Sequence, residues 1–318
     1  MSFRKILKKF NVAGQCQSYG LSLWQCPQFL FLIMGLIIIA STLSAYAIGT
    51  KYLGDPFLAA LVTIAVTFAL FVIAFVIVQS FDKLAEVSRT KSEFISIISH
   101  QLRSPLSNLK WAVEILMSGR LGQLADKQTE YFKILKENSS RMHELINDLL
   151  TVSRIETAKI PFKKEEFSLR EMIESLVSEF RSFAESSNVQ IKVLMDDAEN
   201  PFRIFNDPRQ LRQVIENLLD NAVRYIKDKG EVILEIKNYK NRLCLKIIDN
   251  GVGIPKADRK YIFQKFFRSE SALRHQTEGS GLGLYIAKAI IERLGGKIKF
   301  SSQEGRGSTF WITIPMKS

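Results

Sequence analysis

Histidine, cysteine and proline are all scarce in this 318-residue chain, and each scarcity narrows what the protein can be. Its three cysteines, Cys16, Cys26 and Cys244, lack the paired spacing of a zinc site, and Cys244 falls in a predicted strand of a reducing compartment. No cysteine is therefore assigned chemistry. Only three histidines occur, His100, His143 and His275, so any histidine chemistry has few addresses. There is no internal repeat and no low-complexity tract, and no basic run is interleaved with base-stacking aromatics. The net charge of +12 is accordingly not read as a nucleic-acid surface. Part of the basic excess flanks two apolar runs, where anionic lipid would meet it.

Those runs, residues 29–49 and 56–78, contain no Asp, Glu, Lys or Arg. Each exceeds the roughly 20 residues needed to cross a bilayer, so both read as transmembrane helices. A signal peptide is the alternative for the first, against which its apolar run begins only after 28 residues and is longer than an h-region should be. Arg4, Lys5, Lys8 and Lys9 precede the first run, and Lys83, Arg89 and Lys91 follow the second, which puts both ends in the cytoplasm. The connection, residues 50–55, is too short to bury a core. No extracellular sensing domain is expected.

Beyond Val78 neither Pro nor Gly occurs until Pro105. Phe81, Leu84, Ser88, Lys91, Ile95, Ile98 and Leu102 recur at alternating spacings of three and four, an imperfect heptad seam on one long helix. His100 falls at the f position, turned away from the seam and toward solvent. Pro105 has no N–H for the carbonyl of Gln101, so a bend is expected beside it. After a turn at residues 118–127, a second amphipathic helix carries Phe132, Leu135, Ser139, Met142, Ile146, Leu149 and Ser153 on its seam. One such hairpin cannot close a core, whereas two make a four-helix bundle, and a homodimer is expected.

From residue 161 the pattern changes to short strands (190–195, 202–206, 231–238, 242–248, 297–301, 308–314) and amphipathic helices (168–186, 208–227, 282–294), an α/β sandwich with a mixed sheet. On the helix after Pro208, Leu211, Val214, Ile215, Leu218, Leu219 and Ala222 make a buried face. Gln213, Asn217, Asn221 and Arg224 make a polar stripe on another. Asn amide oxygens are hard neutral ligands that suit Mg²⁺, although such a stripe is more often merely solvated. DNGVGI (249–254) sets a carboxylate before glycines at a strand end, which alone is also good turn chemistry. GSGLGL (279–284) opens a helix, where backbone N–H groups approach phosphates.

NLLDNAVRY (217–225), DNGVGI, IFQKFFR (262–268), GSGLGL and GRGSTF (305–310), with SHQLRSPL (99–106) upstream, occur in one order. Together they resemble the sensor histidine kinases of two-component signalling over residues 85–316. The resemblance implies four regions: a basic cytoplasmic segment (1–28), a transmembrane hairpin (29–80), a signal helix with a dimerisation and phosphoacceptor hairpin (81–160), and a Bergerat-type ATP-binding domain (161–318). It implies that His100 is the phosphoacceptor. Asn217, Asn221 and Arg224 would contact Mg²⁺ or phosphate, with Asn221 the metal ligand and Asn217 the alternative. Tyr225 would pack by the adenine and Asp249 accept from its amino group. Gly251, Gly253, Gly279, Gly281 and Gly283 would shape the pocket, Thr309 would lie near Asp249, and residues 255–280 would form a mobile lid.

Two positions depart from the pattern. Most members of the family carry Glu or Asp immediately after the histidine, and here it is Gln101, whose amide can accept a ring N–H but cannot carry charge. Ser104 stands where Thr or Asn orients water during dephosphorylation of the partner, and its hydroxyl keeps that capacity. The expected function is a multi-pass kinase of a bacterial-type cytoplasmic membrane, using ATP and Mg²⁺, with a response-regulator receiver domain as partner. The alternative, kept open by Gln101, is a kinase-poor ATP-binding sensor acting as regulator phosphatase or scaffold. A third class, an ATPase with Glu216 as base, is disfavoured because Glu216 and Asn217 point about 100° apart on their helix. Stimulus, cognate regulator and the choice between cis and trans transfer are not encoded.

Overall fold

A computed structural model describes residues 27–52, 55–120, 122–157, 162–195, 203–239, 242–269 and 279–316. The chain divides into two compact units, the first running through Leu102 with Glu156–Ile160, the second comprising Arg103–Ile155 and Pro161–Ser318.

The first unit holds helix α1 (Pro27–Tyr52) and most of α2 (Pro56–Met117), a 62-residue helix that continues unbroken through Pro105. Its patterning is inverted relative to a soluble protein. Phe31, Leu36, Phe57, Ile64 and Phe68 are each at least 66% exposed, whereas small and hydroxylated residues face inward. Ala59, Thr63 and Ala74 of α2 are buried, as is Gly49 of α1. Thr42 and Thr67 meet across the pair at 2.9 Å, and each hydroxyl also lies within hydrogen-bond distance of the carbonyl four residues earlier.

In the second unit, the end of α2 runs beside α3 (Asp126–Glu156). Arg103 donates to Asn147 Oδ1 at 3.0 Å, and Ser139 Oγ to the Leu106 carbonyl at 3.4 Å. The inward stripe of α3 is Ser139, Ile146, Leu150 and Ser153. Leu109, Ile134, Leu135, Met142 and Leu145 stay largely exposed, which leaves an apolar face uncovered on a single hairpin.

The rest of the second unit carries β1 (Glu165–Ser168), α4 (Leu169–Ser186), β2 (Val189–Met195), β3 (Arg203–Asn206), α5 (Pro208–Arg224), β4 (Gly230–Tyr239), β5 (Arg242–Asp249), α6 (Gly283–Arg293), β6 (Lys297–Gln303) and β7 (Gly307–Pro315). The five-stranded sheet has order β2-β4-β5-β7-β6, with β2 and β4 parallel and the other pairs antiparallel. β1 and β3, the former absent from the sequence expectation, pair in a small second sheet. Alternation puts Leu243, Leu245 and Ile247 of β5 and Ile312 and Ile314 of β7 on one face. Leu211, Ile215, Leu218 and Leu219 of α5, with Ile286 and Ile290 of α6, belong to the same core, all 1% exposed or less. At roughly 2 kcal/mol per fully buried aliphatic side chain, this layer dominates the module's stability. α5 starts after Asp207, whose carboxylate accepts from Arg209 and Gln210 N–H at 3.0 Å and from Lys163 N–H at 2.7 Å, anchoring the incoming chain.

Candidate nucleotide and phosphoacceptor sites

The sheet and α5 frame a cleft of about 650 Å³ including its open mouth. Asn221 and Tyr225 enter from α5, Asp249, Val252, Gly253 and Ile254 from the end of β5 and its loop, and Ser308 and Phe310 from β7. Phe267, Arg268 and Leu284 add walls of their own. The lining is mainly apolar, with few polar atoms, as a cleft for an aromatic base requires.

Asp249 is the buried carboxyl of this cleft, at 8% exposure. Its Oδ1 accepts from the N–H groups of Gly251 at 2.9 Å and Ser308 at 3.1 Å, so that Oδ2 is the acceptor left for a ligand. Burial pushes its carboxyl up to about 6, against the opposing pull of those two N–H groups. The loop after it is pinned from several sides. Val252 N–H donates to the Tyr225 carbonyl at 2.9 Å, Ile254 N–H to Ser302 Oγ at 2.8 Å, and Gly305 N–H to the Val252 carbonyl at 2.8 Å. Gly253 is obligatory here, because its φ is +68° and a Cβ would stand 2.1 Å from the Gln303 carbonyl oxygen.

The register of β5 on β7 corrects one expectation. Ser308, not Thr309, pairs with Asp249, while Thr309 sits opposite Ile248. A one-residue offset along a strand reverses the face, so Thr309 points away from the cleft and Ser308 lines it, its hydroxyl 2.9 Å from that of Ser302.

Asn221 lines the cleft and donates from Nδ2 to the Asn217 carbonyl at 2.7 Å, which leaves its amide oxygen as an acceptor. Asn217 lies outside the cleft lining and donates to the Gly283 carbonyl at 3.2 Å, linking α5 to the start of α6. Arg224 is a second departure from expectation. It does not line the cleft; its Nε is 2.7 Å from both carboxylate oxygens of Asp220, and its guanidinium lies over the Phe183 ring. Tyr225 caps α5 beside the cleft, its phenol pushed up by burial and pulled back by Arg268. Arg268 also donates to the Gly279 carbonyl at 3.3 Å. Arg268, Phe267 and Ser308 are pocket residues that the motif segments contained but that had been given no role. Gly281, at φ +67°, would place a Cβ 2.8 Å from the Phe266 backbone, whereas Gly283 has ordinary room for one. Residues 270–278 of the predicted lid, with His275, lie outside the described residues, as do Cys16, Cys26 and the basic residues of the N-terminal segment.

α3 meets the sheet-bearing module at the GSGLGL turn. Ser280 Oγ donates to Asp148 Oδ2 at 2.7 Å and accepts from Leu282 N–H at 3.1 Å. Glu144, one turn before Asp148, feels both Arg224 and Asp220. Burial raises the carboxyls of Glu144, Asp148 and Asp220, with Arg224 opposing the shift at Glu144 and Asp220 and Ser280 opposing it at Asp148.

His100 is exposed on α2, as are Gln101 and Leu102, and Ser104 is exposed one turn later. His143 is partly buried on α3. Among the described residues no group of three or more His, Cys, Asp or Glu side chains could hold a metal ion. The donor set fits a hard cation that arrives with phosphate and water ligands and takes one neutral amide oxygen, that of Asn221, from the protein.

Residues 206–318 match the family described as Histidine kinase-, DNA gyrase B-, and HSP90-like ATPase, and residues 90–158 match the His Kinase A (phospho-acceptor) domain. The circadian input-output histidine kinase CikA of Synechococcus elongatus is 34% identical over 226 residues, 71% of this chain and 30% of CikA. The signal transduction histidine-protein kinase BarA of Escherichia coli K12 is 29% identical over 233 residues, 72% of this chain and 25% of BarA. A crystal structure of full-length ShkA in complex with AMPPNP aligns with a TM-score of 0.58 at 25% identity, over 70% of this chain and 45% of ShkA. This chain thus spans less than a third of the length of the two curated relatives.

Proposed function

This chain belongs to the sensor histidine kinases of two-component signalling, and from that premise we propose that it autophosphorylates His100 from Mg-ATP and passes the phosphoryl group to an aspartate of a separate response-regulator receiver domain. The observation that carries the proposal is the pairing of an exposed histidine in SHQLRSPL with a cleft whose buried acceptor is Asp249. In the transfer, a neutral imidazole nitrogen of His100 attacks the γ-phosphorus, the bond from that phosphorus to the β–γ bridging oxygen breaks, and ADP leaves. The imidazolium proton passes to solvent. Gln101 can accept the other ring N–H and hold the ring's orientation. Asp249 Oδ2 takes the adenine amino group, and the apolar walls exclude water from the base. Magnesium, held by Asn221 with Asn217 behind it, would supply charge compensation on the phosphates.

The exposed apolar faces of α1 and the first part of α2 support placement in a membrane, since a soluble protein rarely leaves such an area uncovered. With basic residues on both flanks, the reading is two spans in a cytoplasmic membrane and both ends inside. The uncovered apolar face of the hairpin supports a homodimer closed as a four-helix bundle. Acid-labile, alkali-stable label from γ-labelled ATP on the purified full-length protein tests the kinase reading. Gln101 favours one second reading, a kinase-poor enzyme that chiefly dephosphorylates its regulator with Ser104 orienting water. Label that forms poorly, beside rapid loss of phosphate from a phosphorylated receiver domain, would select it.

A further inference from the structure

The turn that should receive phosphate already holds an anion. GSGLGL opens α6, and a helix N-terminus preceded by glycines is a place where negative charge is stabilised. There Ser280 Oγ donates to Asp148 Oδ2 at 2.7 Å, across 132 residues of sequence. The same hydroxyl accepts from Leu282 N–H at 3.1 Å, so the carboxylate is tied through one atom to the backbone of the turn. At the end of α5, Arg224 is bonded to both oxygens of Asp220, with Glu144 of α3 nearby. A carboxyl thus stands at the glycine turn that would meet a triphosphate, and two more flank Arg224 on the same side of α3. Burial raises all three carboxyls, the expected signature of acids crowded into a partly desolvated contact.

We propose that α3 acts as a brake on the nucleotide site: Asp148, bonded to Ser280, stands in for phosphate at the glycine turn, so that triphosphate binding and release of α3 from the ATP module are a single event. The inference rests on the ATP site proposed above and adds its regulation. Two anions cannot share the turn, because a triphosphate arriving beside Asp148 and Glu144 meets like charge in a low-dielectric contact. Linkage then works in both directions: displacing α3 tightens nucleotide binding, and nucleotide frees the module from the helix. Any stimulus that shifts α3 changes ATP affinity without touching the cleft that binds the base.

The test uses full-length protein in nanodiscs, with Mg-AMPPNP as the probe and its Kd measured calorimetrically. Asp148→Ala is expected to bind about 3- to 10-fold more tightly than the wild type, the gain from removing one charged hydrogen bond that favours the closed state. Asp148→Asn, which keeps an acceptor oxygen but no charge, should fall between them and also serves if the alanine variant folds poorly. Unchanged or weaker binding in both variants overturns the brake. As an independent readout, an Asp148→Cys/Ser280→Cys pair in a background without the native cysteines should form a disulfide without nucleotide and do so markedly less with Mg-AMPPNP. A crosslink indifferent to nucleotide would also overturn it. Wild-type protein that fails to bind Mg-AMPPNP at all would instead overturn the nucleotide site itself.

Discussion

The acceptor segment and the nucleotide cleft represent opposite ways of building a functional site. Around His100 the chain offers one exposed side chain on a helix, flanked by exposed Gln101 and Leu102. Around Asp249 it converges α5, the end of β5, a pinned loop and β7 on one buried carboxylate. The difference follows from what each must do. Under the proposed function, an acceptor that meets a phosphoryl donor and then a receiver domain has to be reachable, so its chemistry is concentrated in one replaceable group. A cleft that has to hold a base in a fixed orientation depends on many groups, none dispensable.

The largest effect expected from that contrast is at the acceptor. His100→Gln should reduce acid-labile labelling to background while leaving Mg-AMPPNP affinity within a few-fold of wild type. Label persisting at His143 or His275 would break the contrast by moving the acceptor. Next comes the cleft's scaffold. Gly253→Ala forces a Cβ to within 2.1 Å of the Gln303 carbonyl oxygen at a left-handed φ. It should destabilise the ATP module by ~2 kcal/mol and abolish measurable nucleotide binding, read by thermal unfolding and titration.

Asp249→Asn separates binding from stability. Asn can keep both N–H bonds through its amide oxygen, but it then turns a donor toward the adenine amino group, so affinity should fall about 10- to 100-fold. The wild-type carboxyl, pushed up to about 6, sets the pH dependence. Because its folded pKa is raised, the protonated form is favoured in the fold. Stability is therefore highest below the ordinary aspartate range and declines as pH rises through about 6, by up to ~3 kcal/mol. Nucleotide affinity should move the opposite way, falling as pH drops below 6, since binding needs the carboxylate. In Asp249→Asn both slopes should flatten, and slopes that persist would assign them to another group. The smallest effect is expected at Gln101. Gln101→Glu should raise the labelling rate on the order of 10-fold, the electrostatic part of what a carboxylate adds once orientation is already supplied. An unchanged rate at saturating Mg-ATP would mean that domain docking, not chemistry, limits turnover.

Much of this architecture was readable before any coordinate. The predicted helix at 168–186 is observed as Leu169–Ser186, and the predicted strand at 242–248 as Arg242–Asp249, because apolar period and turn residues mark such elements locally. The four-residue β1 escaped because it alternates too briefly to register as a strand. Asn221, Tyr225, Asp249 and Gly253 were named through the family resemblance of their motifs rather than by local pattern, and all four line the cleft. Thr309 was misplaced by one residue, because GRGSTF does not disclose which of two adjacent hydroxyls the strand register turns inward.

The sequence by itself determined the two long apolar helices, the helical hairpin and most of the order of strands and helices that follows it. Tertiary structure alone decided that Ser308 faces the cleft, that Arg224 is turned onto Asp220 and Phe183, and that Asp148 reaches Ser280 across 132 residues. Periodicity and turn chemistry act over a few residues, so composition can encode them. Which side chain meets which across a register or a domain contact depends on how whole elements pack, and that is fixed only when the chain buries its apolar faces together.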